Sequence, residues 1–400
     1  MVVTFVSNYI NHHQLPFCRA MSQMDGVEFH FIQTQPMEQK RVDMGWAVDV
    51  KDYPFVLLWY EDRDKCNELI LGSDVTIFGW TEGATFEIEK KRLSSDKLSF
   101  RVSERIYREG QWKAISPKGL LAKYHEHFVY RYKSVFLLCA GAYVSSDFAL
   151  IHCYPYSMLK WGYFPDASGG GAAITDKTYS KAGEKLRLLW AGRLIELKHP
   201  EFAVRAAAVL KEKGIDFSLD IVGDGPLMDE LQKMVEKYQL EKEVTLAGGK
   251  KPAEVLEYME KSDIFLFTSN YLEGWGAVVN EAMMKGCAVI ASREAGSVPF
   301  LINSGENGLS YENGSYEDFV SKVLYLVDNR DKIEQFGTKA KKTINEVWNA
   351  NNAALELVKF SRQYIDGLDP LIPKSGPMSD AQVLKAPGFW RTLREKNRLE

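Results

Sequence analysis

Two carboxylates eight positions apart are the strongest chemical signal in this sequence. Glu273 and Glu281 lie in the segment Glu-Gly-Trp-Gly-Ala-Val-Val-Asn-Glu-Ala, which spans residues 273–282. A helix that begins near Gly276 or Ala277 would leave Glu273 in the loop after a strand and place Glu281 about one turn into the helix. Its free N–H groups would form an anion site. The pattern predicts a diphosphate site with one hydroxyl-binding carboxylate on each side, although Glu281 could also be an ordinary helix-face residue.

The apolar runs of the sequence indicate which strands and helices would position these carboxylates. Strand-length runs alternate with longer amphipathic stretches in both halves of the chain, a pattern that predicts parallel sheets covered by helices on both faces. The fold class is therefore α/β, with two doubly wound domains. In the second half we predict strands at Leu186–Trp190, Phe217–Val222, Val244–Ala247, Ile264–Thr268 and Ala288–Ala291, and helices at Pro200–Gly214, Leu227–Tyr238, Ala253–Lys261, Ala277–Lys285, Tyr316–Asp328, Asp331–Glu346 and Ala353–Tyr364.

The first half has a weaker pattern. Its clearest strands are predicted at Val2–Val6, Val27–Ile32, Val75–Phe78 and Leu98–Val102, followed by an aromatic run at Phe128–Tyr130 and an apolar run at Ser134–Ala140. The pattern between residues 36 and 70 predicts no clear element. The order of the strands in either sheet does not follow from the sequence.

Length and small residues predict the domain organisation. The 400 residues favour two or perhaps three domains. The segment Pro165–Ala172, rich in glycine, is the best candidate for a linker. A Gly-rich phosphate loop is the competing interpretation, but neither Lys-Ser nor Lys-Thr follows the glycines as that motif requires.

Composition excludes several classes of protein. Hydrophobic residues make up 46% and charged residues 26%, with a net charge of −4, as in a globular enzyme and unlike a nucleic-acid binder. Five widely spaced cysteines predict reduced core thiols in the cytoplasm. We expect neither a signal peptide nor a membrane-spanning segment, because the sequence lacks a long apolar run.

The carboxylate segment resembles that of retaining glycosyltransferases of family 4, which carry Glu, seven residues and Glu within Glu-Gly-aromatic-Gly. The resemblance continues in family order over about residues 185–350. Its further motifs are Ala191-Gly192-Arg193 with Lys198, Val222-Gly223-Asp224-Gly225-Pro226, Gly286-Cys287-Ala288-Val289-Ile290-Ala291 and Asn307-Gly308.

This resemblance implies roles for individual residues. Arg193 and Lys198 would neutralise the diphosphate of a nucleotide-sugar donor, although either could be an ordinary surface charge. Glu281 would bind the ribose hydroxyls, and Glu273 would contact the transferred sugar. Backbone groups would complete the donor site: the N–H groups of Gly276, Ala277 and Val278 at the diphosphate, and the segment Gly248-Gly249-Lys250 at the base.

Two departures from the family pattern stand in the second half. Many members carry Gly-Gly-x-x-Glu where this chain has Ala295-Gly296-Ser297-Val298-Pro299, so the role of that glutamate is missing here. Trp275 replaces the commoner phenylalanine, which we interpret as a conservative change of an aromatic platform.

Candidate acceptor residues follow two strands of the first half. His12 and His13 lie in a polar loop after Val2–Val6 and could donate hydrogen bonds to phosphate or hydroxyl groups. The alternative is that one is exposed and the other caps a helix. Glu104 follows Leu98–Val102 and could orient an acceptor hydroxyl, or it could pair with Arg105 or Arg108. The turn 161–165 is interpreted as structural.

The resemblance implies the GT-B architecture and glycosyl transfer with retention. It divides the chain into an acceptor-binding domain at 1–165, a linker at 166–180, a nucleotide-sugar-binding domain at 181–350 and C-terminal helices at 351–400 that return to the first domain. The expected donor is a UDP-sugar, and the expected acceptor is a saccharide or lipid-linked saccharide of cell-surface polysaccharide biosynthesis. No metal or other cofactor is expected. The rival functions are a nucleotide-sugar epimerase on the same fold and a non-catalytic sugar- or nucleotide-binding module.

The C-terminal segment 387–399 raises the question of a membrane. It carries four basic residues and one acidic residue, with Phe389, Trp390 and Leu393 among them. Such a segment could lie peripherally on the inner face of an anionic membrane. Return of this segment to the first domain, with Trp390 as an anchor, is the alternative that we favour.

Overall fold

A computed structural model describes residues 1–39, 42, 48–81, 83, 85–165 and 177–386. The chain divides into two compact units. Unit 1 comprises Met1–Asp166 and Val347–Glu400, and unit 2 comprises Ala167–Glu346. The predicted linker lies largely outside the described residues, and the C-terminal segment 387–399 lies outside them altogether.

Unit 1 contains a seven-stranded sheet in the order β3-β2-β1-β4-β5-β6-β7, in which all neighbouring strands are parallel. The strands are β1 (Val2–Ser7), β2 (Glu28–Gln33), β3 (Val56–Leu58), β4 (Val75–Phe78), β5 (Ser99–Ser103), β6 (Val135–Ala140) and β7 (Met158–Trp161). Strands β1 and β4 are fully or largely buried, because helices cover both faces of a doubly wound sheet.

Within the described residues, six α-helices belong to unit 1. They are α1 (Leu15–Ser22), α2 (Arg63–Gly72), α3 (Phe86–Ser94), α4 (Pro117–Glu126), α5 (Val144–Leu150) and, from the C-terminal part of the chain, α13 (Ala350–Ile365). Helix α13 packs against α1, and its Phe360 contacts Phe100 of β5 with ring centroids 5.8 Å apart. The last long helix thus completes the core of unit 1.

Unit 2 contains a six-stranded parallel sheet in the order β10-β9-β8-β11-β12-β13. The strands are β8 (Leu186–Ala191), β9 (Phe217–Val222), β10 (Val244–Gly248), β11 (Ile264–Phe267), β12 (Ala288–Ser292) and β13 (Leu309–Tyr311). The helices are α6 (Glu201–Glu212), α7 (Met228–Lys237), α8 (Pro252–Lys261), α9 (Ala277–Met284), α10 (Val298–Leu301), α11 (Tyr316–Asp328) and α12 (Arg330–Lys342). A π-helical turn, Thr343–Val347, follows α12.

The two-domain α/β prediction is confirmed, and so are most predicted elements of unit 2 to within a few residues. The sequence analysis missed β13 and α10, which are three and four residues long. In unit 1 it missed β3 and β7 and gave no bounds for the helices. Strand β3 and most of α2 lie in the stretch where no clear element was predicted. The aromatic run Phe128–Tyr130 does not continue the series of strands. It forms a 3-10 helix in which Tyr130 is buried.

All five cysteines are free and buried, as predicted. Within the described residues, no helix combines the length and the apolar character that crossing a membrane would require.

Candidate functional site

The sheet of unit 2 has its switch point between β8 and β11. Crossovers lead from β8 outward through β9 and β10, and from β11 outward through β12 and β13. Open α/β sheets bind ligands at the carboxyl ends of the two strands where this direction reverses. The loops after β8 and β11 carry Arg193, Lys198 and Glu273, so three predicted site residues lie at that point.

Lys198 and Glu273 form an ion pair at this switch point. Lys198 ends a 3-10 helix after β8, Glu273 lies in the loop after β11, and its carboxylate accepts a hydrogen bond from the lysine ammonium group. Both side chains are largely buried, with 12% and 14% of the side chain exposed. A buried pair of this kind holds a positive charge in a fixed position.

Hydrogen bonds around Thr268 and Asn270 tie the same two loops together. The Thr268 hydroxyl donates to the carbonyl oxygen of Lys198 at 2.6 Å and accepts from the Trp190 indole at 2.8 Å. The backbone N–H of Asn270 donates to the carbonyl oxygen of Leu197 at 2.8 Å. The sequence analysis missed these positioning residues. In the sequence, the signal for Thr268 and Asn270 is that they are polar residues just after a strand-length apolar run.

His199 also escaped the sequence analysis. It is buried, its backbone is left-handed with a φ of +47°, and its ring contacts the Asn270 amide at 3.3 Å and the Glu201 carboxylate at 2.8 Å. His199 fixes the turn that directly follows Lys198. In the sequence, its position next to Lys198 is the signal that could have identified it.

Glu281 lies in the second turn of α9, close to its predicted place. The side chain is partly buried, and burial raises the pKa of the carboxyl group to about 7. Near neutral pH this group therefore exchanges between a hydrogen-bond donor and a charged acceptor.

The start of α9 explains the glycine of the motif. Gly276 precedes the helix with a left-handed φ of +89°, and a β-carbon there would lie 2.6 Å from the Phe267 ring. Ala277 and Val278 form the first turn, whose N–H groups have no acceptor within a helix. The Trp275 side chain is buried, and its indole donates to Asn280 at 2.8 Å.

Arg193, Gly248 and Gly249 follow strands β8 and β10 at the same carboxyl edge of the sheet. Arg193 follows β8 and its side chain is exposed. Gly248 ends β10 and Gly249 follows it. The carbonyl oxygen of Gly248 accepts from Gly223 N–H at 3.0 Å, which joins the loops after β9 and β10. Gly223 has a φ of +152°, and a β-carbon there would lie 1.8 Å from the carbonyl oxygen of Gly192, so the Val-Gly-Asp-Gly motif permits close approach of two loops.

The predicted acceptor residues His12 and His13 lie in the loop after β1 of unit 1. Their ring centroids are 3.8 Å apart, and both side chains are partly buried. Burial, together with His12, lowers the pKa of His13 to about 3, and burial also lowers the pKa of His12. Both imidazoles are therefore neutral at pH 7. Neither caps α1, whose N-cap residue is Gln14.

Two aromatic residues that the sequence analysis did not place in the site join this group. Tyr163 follows β7, and its ring centroid lies 5.6 Å from that of His13. Trp80 follows β4 and is stacked on Tyr163, with centroids 6.2 Å apart and an interplanar angle of 9°. Part of each aromatic side chain is exposed. Their position just after the ends of strands is a signal that could have found them.

Glu104 joins the same group. The Tyr163 hydroxyl donates to one carboxylate oxygen at 3.2 Å, and Arg108 approaches the other at 3.5 Å. Arg105 does not pair with Glu104. It forms a buried, two-pronged ion pair with Asp147, at 2.9 and 3.2 Å. Unit 1 thus gathers His12, His13, Glu104 and the two aromatic residues at the carboxyl edge of its sheet.

The predicted residues therefore form two groups, one in each unit. Among the described residues, there is no group of three or more His, Cys, Asp or Glu side chains arranged to hold a metal ion.

Comparison with known proteins shows which family this chain resembles in sequence. Residues 174–343 match the sequence model described as "Glycosyl transferases group 1". The amylovoran biosynthesis glycosyltransferase AmsK of Erwinia amylovora is 28% identical over 182 residues, which are 44% of each chain. The poly(ribitol-phosphate) alpha-N-acetylglucosaminyltransferase of Staphylococcus aureus is 28% identical over 160 residues, which are 40% of this chain and 32% of that one. The matches thus span less than half of these relatives.

The fold has solved counterparts over nearly the whole chain. The Anabaena protein Alr3699/HepE, solved in complex with UDP, aligns with a TM-score of 0.64 at 14% identity, and the alignment covers 90% of this chain and 99% of that one. At this identity the likeness concerns the fold alone. The two parallel α/β units of this chain thus have the GT-B fold, and residues 174–343 are similar in sequence to group 1 glycosyltransferases.

Proposed function

We propose that this protein is a retaining glycosyltransferase that transfers a sugar from a UDP-sugar to a hydroxyl group of a saccharide or lipid-linked saccharide. The observation that carries the proposal is the Lys198–Glu273 ion pair at the switch point of unit 2, next to the first turn of α9. Amylovoran and poly(ribitol-phosphate) relatives support a place in cell-surface polysaccharide biosynthesis.

The charge pattern of unit 2 suits a nucleotide diphosphate. Lys198, Arg193 and the free N–H groups of Ala277 and Val278 supply positive charge and hydrogen-bond donors for phosphate oxygens. Glu281, once ionised, is an acceptor for two vicinal hydroxyl groups such as those of ribose. We assign uridine to the base because the HepE neighbour was solved with UDP.

The ion pair also suggests how the reaction proceeds. Negative charge grows on the leaving diphosphate as the glycosidic bond breaks, and Lys198 stabilises that charge without needing to move far. Glu273 holds the lysine ammonium group and would contact the transferred sugar. In the proposed front-face route the leaving phosphate takes the proton of the incoming hydroxyl, so the protein contributes position and charge rather than a base.

The side chains of unit 1 suit a neutral acceptor. Aromatic faces such as those of Trp80 and Tyr163 pack against the C–H faces of sugar rings, while neutral imidazoles and the Glu104 carboxylate exchange hydrogen bonds with hydroxyl groups. We therefore place the acceptor at this group. No metal or other cofactor takes part in this proposal.

Incubation with a panel of UDP- and GDP-sugars tests the proposal. We expect binding of one UDP-sugar by calorimetry, slow release of UDP without an acceptor, and release of the α-configured sugar that retention from an α-linked donor requires. The Lys198→Ala variant should lower the rate of release by about 10²- to 10³-fold. Lys285→Ala, which removes a half-buried lysine paired with Glu260 in the same unit, should leave the rate unchanged.

Three outcomes would contradict the proposal. Epimerisation of the sugar with the nucleotide retained would indicate an epimerase. Binding without any turnover, also in the presence of octyl glycosides as acceptors, would indicate a binding module. Release of sugar with inverted configuration would contradict retention.

A further inference from the structure

The residue after Lys198 has a backbone conformation that histidine seldom adopts. His199 has a φ of +47° and a ψ of +51°, in the left-handed region where the β-carbon of an L-residue crowds its own backbone. Five other non-glycine residues in the described part of the chain have a positive φ, and none of them adjoins a residue proposed for the donor site. Such a conformation persists only where surrounding contacts hold it, so the contacts of His199 show what fixes this turn.

Both ring nitrogens of His199 have hydrogen-bond partners. The Asn270 side-chain oxygen accepts from the Leu272 N–H at 2.9 Å, so the amide nitrogen of Asn270 is the atom that faces Nε2 of His199, at 3.3 Å. An amide nitrogen only donates, which makes Nε2 the acceptor and leaves the ring hydrogen on Nδ1. Nδ1 then donates to the Glu201 carboxylate at 2.8 Å. The ring is thereby fixed in one tautomer and one orientation.

Asn270 also holds the backbone on both sides of Lys198. Its N–H donates to the carbonyl oxygen of Leu197 at 2.8 Å, and its side chain contacts His199. Its own carbonyl oxygen accepts from the Glu273 N–H at 3.0 Å. One residue of the loop after β11 thus contacts the residue before Lys198, the residue after it, and the backbone of the glutamate that pairs with it.

These contacts lie in a buried part of the site. His199 and Asn270 are 8% and 9% exposed, and Thr268, whose hydroxyl donates to the carbonyl oxygen of Lys198, is 2% exposed. A buried donor or acceptor that loses its partner keeps the full cost of its desolvation. Loss of the His199 ring or of the Asn270 amide would therefore leave a buried polar group unpaired and release the turn.

The charge of Lys198 needs such support. Lysine carries its charge at the end of a flexible four-carbon stem, so the position of the ammonium group depends on the backbone beneath it and on its ionic partner. His199 and Asn270 fix that backbone, and Asn270 also fixes the backbone of Glu273, the ionic partner. A displacement of about 1 Å in such a group can lower a reaction rate about 100-fold.

We infer that His199 and Asn270 are positioning residues, which keep the ammonium group of Lys198 at the place where the leaving diphosphate acquires charge. The inference rests on the proposed function of unit 2. Both side chains are buried, and they act through Lys198 and Glu273 rather than by contact with the substrate. All four residues belong to unit 2, so the role does not depend on the acceptor.

Two substitutions of His199 separate position from folding. His199→Ala and His199→Gly both remove the ring, so each should lower kcat for UDP release about 10- to 100-fold and raise KM for the donor less than about threefold. Alanine keeps the strain of the left-handed turn, whereas glycine adopts a positive φ freely. Urea denaturation should therefore show lower stability for His199→Ala than for His199→Gly, while their kcat values agree. A parent-like kcat in His199→Gly would overturn the role of the ring.

Asn270→Ala should have the same kinetic effect, because it removes the amide that orients the ring. Gln239→Ala and Gln239→Gly are matched controls at another left-handed residue of unit 2, with a φ of +56°, and should differ in stability without a fall in kcat. Asn307→Ala removes another buried asparagine, whose amide donates at 2.9 and 3.0 Å, and should also keep the kcat of the parent. A comparable fall in kcat in these controls would attribute the losses to general destabilisation and overturn the inference.

A double-mutant cycle tests whether the two residues act through Lys198. In a Lys198→Ala background no ammonium group remains to be positioned, so adding His199→Ala should lower the remaining kcat less than about twofold. Residues that act independently would instead give the product of the two single effects. Multiplicative effects would therefore contradict a positioning role.

Amide hydrogen exchange gives a readout that needs no donor. Peptides covering residues 193–200 and 268–276 should exchange faster in His199→Ala and Asn270→Ala than in the parent, because hydrogen bonds between the two loops are lost. Unchanged exchange in these peptides would contradict the link. Turnover by the parent with full kcat in the variants would reject the positioning role alone. A parent that turns over no nucleotide sugar would reject the proposed function and this role with it.

Discussion

The two units share a topology and differ in the chemistry at its switch point. Each sheet runs outward in both directions from a central pair, β1 and β4 in unit 1 and β8 and β11 in unit 2. Unit 2 places an ion pair and a helix N-terminus at this point, whereas unit 1 places neutral imidazoles and stacked aromatic rings there. The same topology therefore provides two sites of different chemistry, because loops determine the chemistry and strands only their position.

Burial acts on both sites in the same direction. It raises the pKa of Glu281 in unit 2 and lowers that of His13 in unit 1, so each group moves toward its uncharged form. In unit 2, charged side chains are kept inside the site where they pair with each other, as Lys198 and Glu273 do. The difference between the units thus depends on specific partners rather than on burial.

Removing the lysine of the ion pair should have the largest effect. Lys198→Ala should lower kcat by about 10²- to 10³-fold with a smaller rise in KM, because diphosphate charge grows in the transition state. Arg193→Ala should act in the same direction but less, since its side chain is exposed. Initial rates of UDP release measure both parameters, with Lys285→Ala as the control. A rise in KM alone would limit the residue to ground-state binding.

A second test uses the proton on Glu281. The folded-state pKa is raised from 4.5 to about 7, so the bound proton stabilises the fold fully below about pH 4.5, and this stabilisation is lost as the pH rises through 7. Between pH 5 and pH 8 the parent should lose up to about 3 kcal/mol of unfolding free energy relative to Glu281→Gln. Urea denaturation at both pH values measures this difference, and parallel pH profiles would contradict it.

Glu281 should also matter for the donor. Glu281→Ala should weaken UDP binding by about 1.5–3 kcal/mol, the contribution of a hydrogen bond to a charged group, with the fold intact. In the parent, UDP affinity should rise from pH 6 to pH 8 as the carboxyl ionises, and this rise should be absent from Glu281→Gln. Calorimetry at the two pH values measures both effects, and an unchanged affinity would remove Glu281 from the donor site.

The smallest effect is expected for the aromatic stack of unit 1. Tyr163→Ala should raise KM for an octyl glycoside acceptor about tenfold, since it removes one ring face and the hydrogen bond to Glu104. UDP affinity should remain that of the parent, as should both constants in the control Tyr325→Ala, an exposed tyrosine of unit 2. A weaker affinity for UDP in Tyr163→Ala would break the division of roles between the units.

The sequence determined most elements of unit 2 because its strands are continuous apolar runs between clear helix periods. It also brought Arg193, Lys198, Glu273 and Glu281 together as candidates, since each follows or begins an element in a recognisable motif. Short elements such as β3 and β13, with three residues each, carry too little pattern to be predicted.

Tertiary structure alone decided which of these residues touch. Strand order brings the loops after β8 and β11 side by side, and the contact between Lys198 and Glu273 spans 75 positions of sequence. The same holds for Trp80 on Tyr163, for the burial of Trp275, and for the outward apolar face of α4, whose residue pattern alone would predict a face turned inward. A local pattern fixes the period of an element, but which side of it meets the core depends on neighbours that are distant in the chain.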